Sequence, residues 1–175
     1  MKLLRELHLA GVVELHLFRH QDERGVFVKP WHLSSLETLG IAFEVRECFW
    51  SVSQRGNIRG MHFQSPPNGQ CKLVICQKGK ILDVLLDLRP HSPTYGQNTA
   101  LELTAEQANA VYLPVGIAHG FQCLSKQCQV LYFTNHEHVP ERDHGFLWNS
   151  FGFDWPLKPT QISDRDQKLP SFRSQ

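Results

Sequence analysis

The chain has 175 residues, with 18 lysines and arginines against 17 aspartates and glutamates and a formal net charge of +1. This length suits a single domain over residues 1–175, and the balanced charge argues against nucleic-acid binding. No stretch reaches transmembrane length, and charges interrupt the apolar N-terminal segment, so neither a membrane span nor a signal peptide is predicted. The five cysteines form no C-x-x-C pair, which is typical of reduced thiols in a cytoplasmic protein.

Short strand-like runs separated by turns characterise the first third of the chain. Runs of apolar and β-branched residues between clusters of Gly, Asp and Ser are typical of β-strands joined by tight turns. One segment is instead predicted to be helical, with Ser34 as its cap and Gly40 as its end. The predicted elements are a strand at 12–18, a turn at 22–25, a strand at 26–32, a helix at 34–39 and a strand-like run at 42–53.

Three successive strands are predicted between residues 55 and 89, and the rest of the chain is organised around them. Arg59, His62 and Lys72 occupy positions where a buried strand is ordinarily apolar. Burying such groups costs free energy unless each has a partner or a function, so they indicate a site. The predicted strands span residues 57–64, 70–76 and 81–88.

The remainder of the chain continues the β pattern and then loses it. After Pro140 the periodicity fades, and a tail rich in Phe and Trp follows. Many short strands with Gly and Pro turns predict a sandwich or barrel, over which an aromatic tail usually packs. The later strands are predicted at 98–103, 110–113, 118–124 and 127–134.

A Pro-x-Gly turn lies three residues before His119, inside a β-rich run. This arrangement, downstream of the strand that bears His62, resembles the two-motif layout of the cupin jelly-roll barrel. Metal-binding cupins carry His-x-His and a carboxylate, whereas this chain has His62, Gln64 and Lys72. An ammonium does not bind a metal, so no metal is predicted. A cationic barrel mouth suits an anion, or a reaction that builds up negative charge.

Longer motifs resemble the dTDP-4-dehydrorhamnose 3,5-epimerase family over nearly the whole chain. The resemblance implies an all-β cupin jelly roll with short peripheral helices and a C-terminal tail, a homodimer, a nucleotide-sugar substrate, and no metal or organic cofactor. The motifs are D-x-R-G-x-F (22–27), S-x-x-G-x-x-R-G-x-H-x-Q (53–64), Q-x-K-L-V (70–74), G-x-x-x-D-V-x-x-D-L-R (79–89), S-P-T-Y-G (92–96), P-x-G-x-A-H-G-F (114–121) and S-x-x-D (163–166).

The resemblance assigns roles in proton transfer next to a sugar ketone. His62 would be the base, oriented by Asp166, and Tyr132 the acid on the opposite face of the sugar. Lys72 would stabilise the enolate oxygen. The positions that match substrate-binding residues are Arg24, Arg59, Gln64, His119 and Arg165, of which the arginines suit a diphosphate.

The chain departs from the family pattern near the expected nucleotide-base site. The family commonly has Gln-x-Asn where this chain has Glu47 and Phe49, and glutamate at Lys29. A tyrosine that stacks on thymine is replaced by His138, and Asp143 stands near a family glutamate. We place these residues among the substrate contacts and predict that the chemistry is retained. The departures leave two alternatives: a dTDP-linked substrate, or a nucleotide changed to CDP or GDP.

Strand parity raises a difficulty at the proposed base. In an ideal strand His62 and Gly60 share one face while Arg59 points to the other. Both Arg59 and His62 therefore line one pocket only if the strand is irregular, for example through a bulge at Gly60. The alternative is that they face different parts of the site. Lys72 enters the barrel only if Val74, on the same face, does too.

Other functions of the same superfamily are alternatives to epimerisation. A 3,4-ketoisomerase of the same superfamily would move the carbonyl with a similar His base, but its members are shorter and lack most of these motifs. A non-catalytic sugar-nucleotide-binding cupin would not require a base and an acid together. A metal-dependent cupin oxygenase or isomerase is disfavoured by the missing ligands. Inversion of a single carbon is a further alternative that the catalytic residues alone do not exclude.

Overall fold

Antiparallel strands dominate the computed structural model, which describes residues 1–41 and 44–173. The helices of this part of the chain are α1 (Leu33–Thr38), α2 (Asp164–Gln167) and a 3₁₀ turn at Pro140–Arg142. The strands are β1 (Lys2–Glu6), β2 (Val13–His16), β3 (Phe18–Asp22), β4 (Gly25–Lys29), β5 (Glu47–Gln54), β6 (Ile58–Gln64), β7 (Lys72–Lys78), β8 (Lys80–Asp87), β9 (Asn98–Thr104), β10 (Asn109–Leu113), β11 (Ile117–Cys123), β12 (Gln127–Thr134) and β13 (Asp143–Gly145).

Two sheets enclose the main core. Within the described residues, one sheet has the order β1-β2-β10-β7-β12-β5 and the other the order β13-β6-β11-β8-β9. Successive strands β6, β7 and β8 alternate between the sheets, as the jelly-roll topology requires. Val74 and Val130 from one sheet and Leu85, Leu101 and Phe121 from the other share one buried cluster. The all-β jelly roll predicted from the sequence is confirmed.

Strand β8 shows why a nearly continuous apolar run forms a strand here. Ile81 and Leu85 face the cluster between the sheets, while Val84 and Leu86 face a second cluster on the outer side. A strand covered on both faces is apolar at consecutive positions instead of alternating ones. Each such side chain stabilises the fold by roughly 1.5–3 kcal/mol. The outer cover is the predicted aromatic tail, which contributes Phe146, Phe151, Phe153, Trp155 and Phe172.

The N-terminal predictions need correction. The single strand predicted at 12–18 is interrupted at Leu17, whose backbone N–H donates to Ala108, and the chain continues as β3. The strand predicted at 26–32 ends at Lys29, before Pro30, which has no backbone N–H to donate to a sheet. Strand β1 was missed because all five of its residues are exposed, so its sequence carries no buried periodicity.

Helix α1 begins one residue earlier than predicted, and its capping residue is His32 instead of Ser34. Ser34 lies inside the first turn, whereas Gly40, in the left-handed region with φ +72°, follows its end as predicted. Positions 42 and 43 of the strand predicted at 42–53 lie outside the described residues, and β5 begins at Glu47. Strand β13 and helix α2, both in the tail, were not predicted. None of the helices in 1–41 and 44–173 combines the length and hydropathy of a membrane span.

A bulge in β6 resolves the parity difficulty. Arg59 and His62 pair with Phe121 and His119, so the register shifts by one residue between the two pairs. Gly60 lies in this irregular stretch at φ +126°, and a Cβ there would collide with the backbone of Gly120. Only glycine tolerates this positive φ and also leaves room for the backbone of Gly120. The bulge directs Arg59 and His62 into the same cavity, which confirms the first alternative.

Candidate active site

A cavity of about 490 Å³ lies between the two sheets, lined by β5, β6, β7, β11 and β12 and by residues 161–166. Sequence reasoning missed several residues that also line it, among them Ser51, Asn57 and Gln161. None of these three carries a charge that would have marked it in the sequence. The predicted site residues that line the cavity are Phe49, Arg59, His62, Lys72, His119, Tyr132, Arg165 and Asp166.

His62 and Asp166 form a hydrogen-bonded pair despite lying 104 residues apart. The distance from His62 Nε2 to Asp166 Oδ1 is 2.7 Å, and Asp166 Oδ2 accepts from the backbone N–H of Gly60 at 3.2 Å. Ser163 caps α2 by accepting from the Asp166 N–H, which holds the carboxylate in place. Burial opposes ionisation, but the bond from His62 and the other donors keep the pKa of Asp166 below its usual value. A carboxylate in this position orients the imidazole and stabilises its protonated form.

Lys72 supplies a half-buried positive charge in the same cavity. Val74 and Cys76, on the same face of β7, point into the core, so Lys72 enters the barrel as expected. Burial lowers the pKa of Lys72 to about 8, although Asp143 and Asp83 oppose the shift. A cation held at a fixed position in a cavity stabilises negative charge that develops on a reacting oxygen. Among residues 1–41 and 44–173, His, Cys, Asp and Glu side chains form no cluster of three suited to a metal ion.

Tyr132 lies on β12, directly across the sheet from Phe49 of β5. The residue is only 7% exposed, and burial raises the pKa of its phenol well above the usual value. The phenol therefore stays protonated at neutral pH and is available as a proton donor.

A second buried pair, which sequence reasoning only half found, lies behind Tyr132. His119 Nε2 is 2.7 Å from Asp83 Oδ2, and Asp83 has no exposed surface. Burial raises the pKa of Asp83, against the opposing effects of His119 and Lys72. Asp83 belongs to the sequence motif at 79–89, but no role was predicted for it. An acidic residue in the middle of the apolar run 81–88 was the signal that could have found it.

Comparison with known proteins identifies the family to which the chain belongs. The family model described as dTDP-4-dehydrorhamnose 3,5-epimerase matches residues 6–174. The chain belongs to this family.

Individual relatives agree over most of their length. The dTDP-4-dehydrorhamnose 3,5-epimerase of Mycolicibacterium smegmatis is 37% identical over 96% of this chain and 85% of its own. A dTDP-4-dehydrorhamnose 3-epimerase of Streptomyces niveus is 38% identical over 94% and 81%. The crystal structure of the 3,5-epimerase of Bacillus anthracis, with TDP and PPi bound, superimposes with a TM-score of 0.93 at 34% identity, covering 98% of this chain and 99% of its own.

Three of the epimerase's predicted substrate contacts meet at the rim of the cavity. Asp143 Oδ2 accepts hydrogen bonds from His138 at 3.0 Å and from Arg165 at 2.8 Å. Burial opposes ionisation, but His138, Arg165 and the nearby charge of His62 together lower the pKa of Asp143. Of the three, only Arg165 lines the cavity. His138 is therefore held by an acidic neighbour where the family commonly has a tyrosine.

Other predicted contacts lie outside the cavity of their own chain. Arg24 sits at the tip of the β3–β4 hairpin, pairs with Asp22 at 2.6 Å and has an 89% exposed side chain. Lys29, on the same hairpin, lies over the ring of Phe18 at 5.6 Å. The structure of one chain therefore does not bring these two residues to His62.

Gln64 and Glu47 also stand apart from the cavity lining. Gln64 is 4% exposed, and its side chain bonds to the backbone of Glu137 and Val139. These bonds anchor the segment that follows β12 and give Gln64 a structural role in its own chain. Glu47 lies on the cavity-facing side of β5, beyond the lining, with one carboxylate oxygen buried and unpaired among the described residues.

Proposed function

We propose that this protein inverts carbon 3, carbon 5 or both of a nucleotide-linked 4-keto-6-deoxy sugar. The observation that carries the proposal is that a His–Asp pair, a half-buried lysine and a buried tyrosine line one cavity. Relatives named as 3,5-epimerases and as a 3-epimerase support the reaction class and leave both outcomes open. They give no support to a 3,4-ketoisomerase or a non-catalytic binding protein.

The geometry supports a two-step exchange of one proton. His62 takes the proton from the carbon next to the ketone, and the electrons of the broken C–H bond move to the ketone oxygen. Lys72 stabilises the resulting enolate, while Asp166 stabilises the imidazolium. Tyr132 then donates its phenolic proton to the opposite face of the carbon, forming the new C–H bond. Solvent returns a proton to the phenolate and removes one from His62.

Two arginines, Arg59 and Arg165, line the cavity and are suited to pair with the diphosphate of the substrate. Arg59 donates to Ser53 Oγ at 2.9 Å and to the Val52 carbonyl at 3.2 Å, which orients its guanidinium. Arg165 lies at the rim. Guanidinium groups in fixed orientations suit phosphate oxygens. TDP in the Bacillus anthracis relative supports dTDP as the nucleotide, while the change to His138 supports testing CDP and GDP beside it.

The nucleotide and the number of inverted carbons can be read from one experiment. The protein is incubated separately with the dTDP-, CDP- and GDP-linked 4-keto-6-deoxyglucose, and proton NMR follows the coupling constants at carbons 3 and 5. We expect inversion to be fastest with the dTDP sugar. Equal or faster turnover of the CDP or GDP sugar would overturn that preference, and no inversion of any of the three would overturn the proposed function.

We also propose a homodimer in which each chain completes its partner's site. The β3–β4 hairpin leaves Val26 and Phe27 more than half exposed, and Trp50 on the edge strand β5 is 64% exposed. Apolar side chains on a hairpin and a sheet edge are typical of a surface that another chain covers. Arg24 at the hairpin tip would then reach the cavity of the second copy.

Mixing two inactive variants tests the shared site. Arg24→Ala and His62→Asn are each expected to be impaired as homodimers. When they are co-expressed or refolded together, mixed dimers contain one site with an intact His62 and an intact Arg24. Random mixing then restores about one quarter of wild-type activity. If Arg24 serves its own chain, mixing restores nothing, and the proposal is wrong.

The half-buried lysine predicts how activity depends on pH. Only the protonated form of Lys72 stabilises an enolate, and its pKa of about 8 means that this form is lost as pH rises through 8. We expect kcat/KM to fall about tenfold per pH unit above that value. Lys72→Arg, slower at neutral pH, should lack this decline because a guanidinium stays charged. An unchanged alkaline decline in that variant would assign it to another group.

A further inference from the structure

Phe49 and Tyr132 form an aromatic pair inside the cavity. Their ring centroids are 4.7 Å apart and the planes differ by 16°, so the rings are stacked. The two residues are directly opposite each other in the β5–β12 register, and both line the cavity. Cross-strand aromatic pairs of this kind restrict the orientation of both rings.

A second aromatic ring also contacts Tyr132. The ring of His119 lies nearly perpendicular to that of Tyr132, with centroids 5.8 Å apart and planes at 80°, and Asp83 fixes the imidazole of His119. Tyr132 therefore contacts one stacked ring, that of Phe49, and one nearly perpendicular ring, that of His119. Phe49 is the partner nearer to solvent, since it is 40% exposed while His119 is 4% exposed.

Nothing in the fold itself requires an aromatic residue at position 49. Phe49 lies on an edge strand, outside the buried clusters of the described residues. Its neighbours on the same face of β5, Ser51 and Ser53, are small and polar. Among the described residues, the ring of Phe49 stacks on the phenol ring of Tyr132, which points to a role at the site instead of in folding.

We propose that Phe49 is a positioning residue for the proton donor, holding Tyr132 where it can reprotonate the enolate on the face opposite His62. This inference rests on the proposed epimerase function and goes beyond it. Without the ring of Phe49, Tyr132 can tilt away from the reacting carbon, and water gains access to the phenol. The first proton transfer, which depends on His62 and Lys72, does not involve this pair.

Loss of Phe49 therefore has a specific kinetic signature. The enolate still forms, and His62 exchanges its proton with solvent and returns a solvent proton to the face from which it came. In D2O this gives deuterium in substrate that has not been inverted. A general disturbance of the fold would instead slow exchange and inversion together.

The test measures both rates by NMR in D2O with the dTDP-linked sugar. For Phe49→Ala we expect the ratio of inversion to exchange to fall at least about tenfold, since small misplacements of a catalytic group have effects of this size. Tyr132→Phe should show the same signature in stronger form. Phe49→Tyr keeps a flat ring and should remain within about threefold of wild type, whereas Phe49→Leu, apolar but not flat, should resemble alanine.

The outcomes distinguish a failure of this inference from a failure of the proposed epimerase function. If the wild-type protein neither exchanges nor inverts, the proposed function fails, and this inference fails with it. If wild type is active and Phe49→Ala and Phe49→Leu keep the wild-type ratio, the positioning role is wrong whatever happens to the total rate. Retained exchange in either variant also shows that the altered protein is folded, because exchange requires an intact site.

Discussion

Replacing His62 with asparagine is expected to reduce epimerisation by about a thousandfold, within the range for loss of a general base. An amide can still donate to Asp166, which accepts from His62 at 2.7 Å, but it cannot take a proton at neutral pH. The loss should therefore appear mainly in kcat, measured by steady-state turnover of the dTDP-linked sugar, while the cavity keeps its shape.

A neighbouring histidine provides the matched control. His144 lies on β13, one residue from the partner of His62, and is exposed. His144→Asn is expected to leave kcat within about twofold of wild type, because surface substitutions away from a site have small effects. If His62→Asn retained more than a tenth of wild-type activity, His62 would not be the base.

Replacing Lys72 with methionine is expected to lower activity and raise stability at the same time. Loss of one electrostatic donor to a developing oxyanion costs about 10²–10³ in kcat. The folded state, however, holds the ammonium with a pKa of about 8 because of burial, below the unfolded value. Charging the lysine therefore destabilises the fold at pH 7. Methionine removes that cost and should raise the free energy of unfolding by about 2 kcal/mol.

The pH dependence of stability tests whether the charge of Lys72 is what destabilises the fold. The folded state loses the lysine's proton near pH 8 and the unfolded state near 10.5. The wild-type protein therefore gains stability relative to Lys72→Met as pH rises between these values. Urea unfolding of both proteins should show that the difference in their free energies of unfolding is smaller at pH 10 than at pH 7. Lys78→Met, an exposed lysine at the other end of β7, should change neither activity nor stability. A destabilised Lys72→Met would contradict the account.

The central strands and the reactive side chains on them could be predicted from the sequence because their signals are local. Apolar runs mark β8 and β12, and His62 and Lys72 stand out as polar groups within such runs. The bulge at Gly60 was one of two open alternatives. Only the pairing of β6 with β11 decides between them, since register depends on the partner strand as well as on the sequence of β6.

Residues that act through distant partners were harder to find. Asp83 has a role only because β8 and β11 are neighbours, which places it within reach of His119. The stack of Phe49 on Tyr132 likewise follows from the β5–β12 register. From the sequence, Phe49 was a departure from the family pattern and a predicted substrate contact, with no sign of this stack. Propensity describes each segment separately, whereas these contacts arise from how segments pair.

Misplaced elements at the N-terminus have a different cause. Strand β1 has a fully exposed burial pattern, so the hydrophobic periodicity that marks a strand is absent. The β3–β4 hairpin carries exposed apolar residues that a single chain does not cover. In the proposed homodimer a second copy covers these residues, and the core of one chain carries no signal of such a contact. The same proposal accounts for Arg24, which was predicted at the site but lies outside the cavity of its own chain.

Proton exchange at the sugar carbons tests the central claim most directly. The protein is incubated in D2O with dTDP-4-keto-6-deoxyglucose, and the signals of the protons on carbons 3 and 5 are followed over time for wild type and His62→Asn. The account predicts that wild type replaces at least one of these protons with deuterium as the carbon inverts, and that His62→Asn replaces neither. Exchange at the wild-type rate in His62→Asn, or inversion without deuterium in the product, would contradict it.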